Sequence, residues 1–352
     1  MHGVDFHYLT AAGEWKVDGQ LLHSDVEDQG VGRGGFVDVG YTVRQGLVLR
    51  WGLSHFDDKF SLNDLGFNRR NDITNTTLKV DYTRSDIPWL RKASFDVFSE
   101  YEVNGAGENT KSSIGLWSNL DLRNQDQLRM GLVYFGERVD DRNSRGNGSY
   151  LVDRRHAVSL DYYTDSAQRF SLRFGIGHNG EDLGGERIRG KLGMIWRPRD
   201  QINVSAFAEY RKRTGWLLWQ EDRNLTTFDS YEWRPRINLD YFLTAKQQLR
   251  FSAQWVGIKA SERDFYLVPE RVTRPQQVDK PDAIDDDFAI ANVNLQLRYR
   301  WEIAPLSELS VVYTLNGAQT ASQGSFEDLL TQAYDEPVGE QLIVKLRYRL
   351  GT

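Results

Sequence analysis

The chain has 352 residues, with 44 Lys plus Arg against 50 Asp plus Glu, and its net charge of −6 is too mild for a nucleic-acid binder. It contains no Cys, which removes disulfides, thiolate nucleophiles and Cys-ligated zinc. The mean hydropathy is −0.58, and the absence of any run of about 18 apolar residues excludes a helical membrane span.

Aromatics at 12% and 31 Gly against 8 Pro fit many strands joined by turns. The opening MHGVDFHYLT lacks a basic region followed by an apolar one, so it does not read as a signal peptide. It already alternates, with Val4, Phe6 and Tyr8 on one side. From there period-2 alternation predicts about seventeen strands. The first eight lie near 2–10, 14–22, 35–43, 46–54, 72–83, 92–103, 112–122 and 127–138. The next four lie near 154–163, 169–178, 187–197 and 202–211. The last five lie near 231–243, 248–258, 289–302, 308–316 and 341–350.

The two faces separate cleanly. Phe170, Leu172, Phe174 and Ile176 oppose Ser171, Arg173, Gly175 and Gly177. Leu342, Val344, Leu346, Tyr348 and Leu350 oppose Gln341, Lys345, Arg347 and Arg349, with only Ile343 out of pattern. A soluble sandwich would bury the apolar face; a membrane barrel would turn it to lipid and the charges to a wet lumen.

Connection lengths decide between these. Short turns are expected at 11–13, 44–45, 84–91, 123–126, 164–167, 198–201, 244–247 and 304–307. Long loops are expected near 23–34, 55–71, 139–153, 179–186, 212–230, 259–288 and 317–340, with a medium one near 104–111. Such parity is the mark of an outer-membrane barrel, with tight turns on the periplasmic side. Trp196, Tyr210, Trp233, Tyr241, Tyr299, Trp301, Tyr313 and Tyr348 sit near strand ends, where aromatic girdles meet the interfaces. Single-chain barrels usually have an even strand count with both termini inside. Seventeen strands with the first starting outside therefore predict at least one further strand before the first.

The stretch Asn63-Asp64-Leu65-Gly66-Phe67-Asn68-Arg69-Arg70-Asn71-Asp72 resembles a signature of a large family of bacterial envelope proteins. The turn Trp196-Arg197-Pro198-Arg199, the run from Tyr210 to Trp216 and the ending from Val344 to Arg349 are similar to it as well. In that family a domain like family-9 carbohydrate-binding modules precedes a C-terminal outer-membrane barrel. The resemblance covers most of the chain from about residue 35 onward. It implies architecture and location, and a carbohydrate-binding partner domain outside this sequence; it supplies no catalytic residues. Outer-membrane barrels tend to end on an aromatic residue, whereas this chain stops at Gly351-Thr352.

Candidate chemistry is sparse. Six His are scattered, with no H-E-x-x-H and no G-x-S-x-G. His156 after Asp153, Arg154 and Arg155 invites a barrel-embedded hydrolase, and a plain rim histidine is the better reading. Asp282, Asp285, Asp286 and Asp287 could attract Ca²⁺ but lack EF-hand spacing, so a solvated loop is favoured. Trp216 and Trp219, at the start of the 212–230 loop, could stack on sugars or enter lipid, or plug the mouth. Expected lumen-lining residues are Arg173, Arg187, Arg189, Lys191, Arg234, Arg236, Asp240, Arg298, Arg300, Lys345, Arg347 and Arg349. Acidic counterparts include Asp81, Asp96, Glu100, Asp121, Asp161 and Glu209. Such walls either set an anion preference in a pore or lace the lumen shut with ion pairs.

The sequence thus predicts one all-β domain over 1–352, an antiparallel transmembrane β-barrel of about 16–18 strands in the bacterial outer membrane. Its partner is outer-membrane lipid, with no cofactor, no metal, no nucleic acid and no catalysis. Its function is that of a pore, uptake component or membrane anchor. The rivals are a secreted glycan-binding or adhesion protein and the barrel-embedded hydrolase.

Overall fold

Alternating sequence becomes strand wherever one face is apolar and the other polar, because successive side chains point to opposite sides. The structure, a computed structural model, describes residues 1–27, 30–62, 70–280, 286–322 and 324–350. Its first eight strands are β1 (His2–Leu9), β2 (Trp15–Val26), β3 (Gly30–Arg44), β4 (Leu47–Phe56), β5 (Ile73–Ile87), β6 (Leu90–Asn104), β7 (Asn109–Leu122) and β8 (Gln127–Phe135). A small hairpin comes next, β9 (Arg138–Asp140) with β10 (Tyr150–Val152). Then come β11 (Arg155–Tyr163), β12 (Phe170–Gly180), β13 (Glu186–Arg199), β14 (Ile202–Trp219), β15 (Asn224–Thr244) and β16 (Gln247–Leu267). The chain ends with β17 (Gln276–Val278), β18 (Phe288–Ala304), β19 (Ser307–Ala321), helix α1 (Phe326–Asp335) and β20 (Gly339–Arg347).

Antiparallel ladders join each long strand to the next, with β8 pairing β11 and β16 pairing β18. The main sheet has 18 strands, one of them the three-residue β17. Seventeen long strands remain among the described residues, each matching one expected from the alternation. The apolar face of this wall is not a core. Ile176 is 64% exposed, Leu342 65% and Val344 62%. A sandwich would have buried these side chains under a second sheet, so the sandwich architecture is overturned. The wall is one large antiparallel sheet of the kind that builds a β-barrel. No helix among the described residues is long and apolar enough to cross a membrane, so any crossing is made by strands.

The polar side is the inside of the curve. The β9–β10 hairpin reaches past β12 and β13 to the ends of β14, β15 and β16. Tyr150 and Val152 form one buried cluster with Leu217, Leu225 and Val268, and the Leu151 N–H donates to the Thr273 carbonyl at 2.9 Å.

Connections depart from the expected parity where strands are longer than their alternation suggests. Residues 212–230 are not a loop: β14 runs to Trp219 and β15 restarts at Asn224. The register shifts between Arg213 and Trp216, where Gly215 takes φ +70°. One bulged residue reverses the facing of the residues after it, which disguises the strand. The 179–186 loop shrinks for the same reason of strand length, to 181–185, and most of 23–34 is strand, with β2 reaching Val26 and β3 starting at Gly30. Within 317–340 lies α1. Ser325 caps it in a capping box with Asp328. Leu329 and Ala333, one turn apart, bury against Ala289 and Ala291 of β18. The helix sits this close because its neighbours are small: a Cβ on Gly317 would overlap the Ala333 carbonyl.

Candidate functional site: the inward wall and its mouth

The inward face is a field of arginines and carboxylates. At its centre Glu232 on β15 is 3% exposed and meets three guanidinium groups: Arg211 at 3.5 Å, Arg213 at 3.6 Å, and Arg234. Glu209, also buried, pairs with Arg211. Burying charge costs several kcal/mol per ion, offset only by good pairing, and removing one partner costs about 3–5 kcal/mol. These pairs therefore fix geometry more than they add stability.

At the long-loop end the β9–β10 hairpin folds over this wall. Arg138 lies 3.1 Å from Asp140 and 3.5 Å from Asp182, and Arg155 of β11 also pairs with Asp182. On the hairpin's other side Arg70 reaches Asp141 at 2.6 Å and Glu102 at 3.9 Å. Asn104 donates to Asp141 at 3.1 Å, and Arg142 to the Asn71 carbonyl at 3.2 Å. Burial works to raise the Asp141 carboxyl, but hydrogen bonds from Asn104 and Arg70 hold it below the usual carboxylate range. Burial, aided by the Asp140 charge, pushes the Tyr150 hydroxyl up, and Asn143 donates to that hydroxyl at 2.7 Å. A cleft of about 580 Å³ remains between hairpin and wall, lined by Asp140, Arg142, Arg155, Glu181, Arg187 and Trp216 among others.

Most of the cations expected to line the lumen have partners on this wall. Lys191 and Arg189 share Asp161, at 3.3 and 4.0 Å. Arg187 stands 3.9 Å from Glu181, and the Arg173 guanidinium lies 5.8 Å from the Tyr163 ring centre. Arg236 donates to Gln254 at 2.9 Å, and Arg250 meets Asp240 at 2.7 Å. Arg300 meets Glu308 at 2.7 Å. Arg298 shares a cleft of about 390 Å³ with Arg250, Arg300 and Ser310. Lys345 and Arg347 lie opposite Ser310 and Glu308 on β20, and the Arg349 N–H donates to the Ser307 hydroxyl at 3.0 Å.

Trp216 and Trp219 are strand residues of β14, not loop residues. Trp216 has Arg213 4.3 Å over its ring and Phe288 against its edge. Trp219 packs on the Tyr150 cluster, with Arg145 4.6 Å over its ring and its indole N–H donating to the Asp222 carbonyl. His156 stacks on His178 at 5.2 Å on the outward side, and His178 lies 3.1 Å from Glu186. Neither imidazole has a hydroxyl partner among the described residues. Among those residues no group of three or more His, Asp or Glu could hold a metal. Asp282, Asp285 and the Asn63–Arg69 part of the family signature lie outside the described residues. Asp287 accepts from the Glu262 N–H at 2.7 Å.

Sequence reasoning gave no role at this site to Arg70, Glu102, Asn104, Asp141, Asp182 and Tyr150. All but Glu102, Asn104 and Tyr150 lie in connections, where alternation carries no information.

A family model described as a domain of unknown function (DUF5916) matches residues 1–351, so the chain belongs to that family. No curated protein matches. Solved structures of the FrpB iron transporter from Neisseria meningitidis are similar in fold. The F3-3 variant aligns with TM-score 0.53 at 14% identity, covering 99% of this chain and 64% of that one. The F5-1 variant aligns with TM-score 0.52 at 15% identity, covering 99% and 65%. This chain thus spans less than two thirds of those transporters' length.

Proposed function

We propose that this member of the DUF5916 family is an outer-membrane barrel that passes polar solutes, its mouth narrowed by the β9–β10 hairpin. The observation that carries the reading is the two-faced wall: exposed apolar side chains outward, ion-paired arginines and carboxylates inward. In lipid every backbone polar group must be paired; the antiparallel ladders pair each long strand with its neighbours, and the outer edges of β1 and β20 are what a barrel has to close. An outward apolar band is stable only against hydrocarbon, which makes outer-membrane lipid the partner of this face. The likeness to transporter barrels supports the class of activity, not the cargo. Anchoring of a carbohydrate-binding domain, implied by the family resemblance, is compatible with the same barrel.

The test is heat-modifiability on a gel after detergent extraction, with conductance in planar bilayers measured next. A fast unboiled band that slows on boiling, with discrete conductance steps, supports the reading. Soluble protein with no shift sinks the membrane location, and a shifting band without conductance sinks passage.

A further inference from the structure

We infer that the inward wall of β16, β18, β19 and β20 near the short turns is a binding site for multivalent anions; this deepens the passage proposed above by naming a ligand class. Strand register puts Arg250 directly opposite Arg298. It puts Arg300 opposite Ser310 and Ser310 opposite Lys345. Arg347 stands two positions further along β20, opposite Glu308. Five cations thus converge on three adjoining rows.

Their carboxylates are fewer, and two of the three are already paired. Asp240 holds Arg250 at 2.7 Å, and Glu308 holds Arg300 at 2.7 Å. Glu302 lies opposite Glu308 at the turn. Among the described residues Arg298 and Lys345 meet no carboxylate. Like charges directly opposite each other in a sheet destabilise it, so Arg250 against Arg298 is a local cost that an anion would relieve.

The rest of the wall contrasts with this patch. Up the same strands, Ser252, Gln296, Thr314 and Gln341 form the next inward cross-strand row, and it is uncharged. Elsewhere inward cations are interleaved with acids, as Glu232 is with Arg211 and Arg213. Here charge of one sign accumulates around an open cleft, of about 390 Å³. Guanidinium forks match carboxylate and phosphate oxygens two at a time, and the Ser310 hydroxyl adds a donor. The ligand is a small solute bearing phosphate or carboxylate groups, with at least two negative charges to meet Arg298 and Lys345 together.

The experiment uses the whole chain in detergent micelles with tripolyphosphate as probe, against chloride at equal ionic strength. Binding is read as the midpoint temperature at which the fast gel band is lost. We expect a rise of several degrees with tripolyphosphate, which Arg298→Gln with Lys345→Gln abolishes; the midpoint in chloride should not fall in that variant, because it removes the Arg250–Arg298 repulsion. A charge-keeping pair, Arg298→Lys with Lys345→Arg, should retain at least half the shift. An equal shift in the Gln pair, or none in the native chain, overturns the site. If the Gln pair no longer gives a fast band, Arg298→Gln alone is read in the same way. Conductance is scored separately, so a barrel that binds tripolyphosphate without conducting would sink passage and keep the site.

Discussion

Tyr150→Ala tests whether the hairpin closes the mouth. Tyr150 is fully buried, packed with Val152, Leu217, Leu225 and Val268, on a hairpin that forms a sheet of its own beside the main one. A fully buried aromatic removes roughly 150–250 Å² from water, which at about 25 cal/mol per Å² is ~4–6 kcal/mol as an upper bound. Aromatic-to-Ala substitutions in cores cost about 3–5 kcal/mol. Because the main sheet's ladders do not involve Tyr150, that loss falls on hairpin docking and spares the barrel. At about 1.4 kcal/mol per tenfold, the closed mouth should lose a factor of roughly one hundred to a few thousand against the open one. Tyr150→Phe removes only the hydrogen bond from Asn143, worth about 1 kcal/mol, and should shift the balance about fivefold. The assay is open probability in planar bilayers, with heat-modifiability as the folding control. A Tyr150→Ala chain that keeps its fast gel band and conducts like the native one refutes closure by the hairpin.

Two further outcomes rest on neighbouring contacts. Gly317→Val places side-chain atoms where the Ala333 carbonyl lies, so α1 should leave the wall, exposing Leu329 at a cost of about 1.5–3 kcal/mol. Proteolysis within 324–338 should accelerate while the fast gel band persists; unchanged cleavage would refute the packing account. Acid should loosen the mouth through Asp141. Its folded carboxyl lies below the usual range, so its contribution is full above the unfolded value of about 3.9 and is lost as pH falls through the folded value. Open probability should therefore stay flat from about pH 8 to 5 and rise only below about pH 4. Asp141→Asn should be more open at neutral pH and lack that rise, and a matching acid response in the variant would place the titration elsewhere.

The strands are legible because their signal is local. Phe174 and Ile176 against Arg173 and Gly175 are read from four consecutive residues, and the wall needs no more than that to define its two faces. Strand ends are less so. After Gly215 the bulge flips the facing and the next four residues, Trp216 to Trp219, are all apolar, so the alternation stops although the strand continues. Helix α1 is hidden inside the polar 317–340 stretch, although Phe326, Leu329, Leu330 and Ala333 carry helical spacing. A ten-residue helix has too few turns for its period to stand out, and the small residues receiving it, Ala289, Ala291 and Gly317, sit in other strands.

The site divides along the same line. Inward arginines can be picked from alternation, because facing is a property of one strand. Which carboxylate each one meets is a property of register and of connections. Arg70 and Asp141 are 71 positions apart and both sit in long connections, so no local pattern relates them. The hairpin matters for the same reason. Tyr150 and Val152 look like an ordinary pair of apolar residues in a polar loop, and their meaning depends on Leu217, Leu225 and Val268 arriving from three other strands or connections. Charge imbalance lies between the two cases. That Arg298 and Lys345 are cations on the inward face is visible from sequence, whereas that they meet no carboxylate among the described residues emerges only when β16, β18, β19 and β20 are laid side by side. In the proposed passage selectivity would come from what the register leaves unpaired, which makes Arg298 and Lys345 the residues to substitute first.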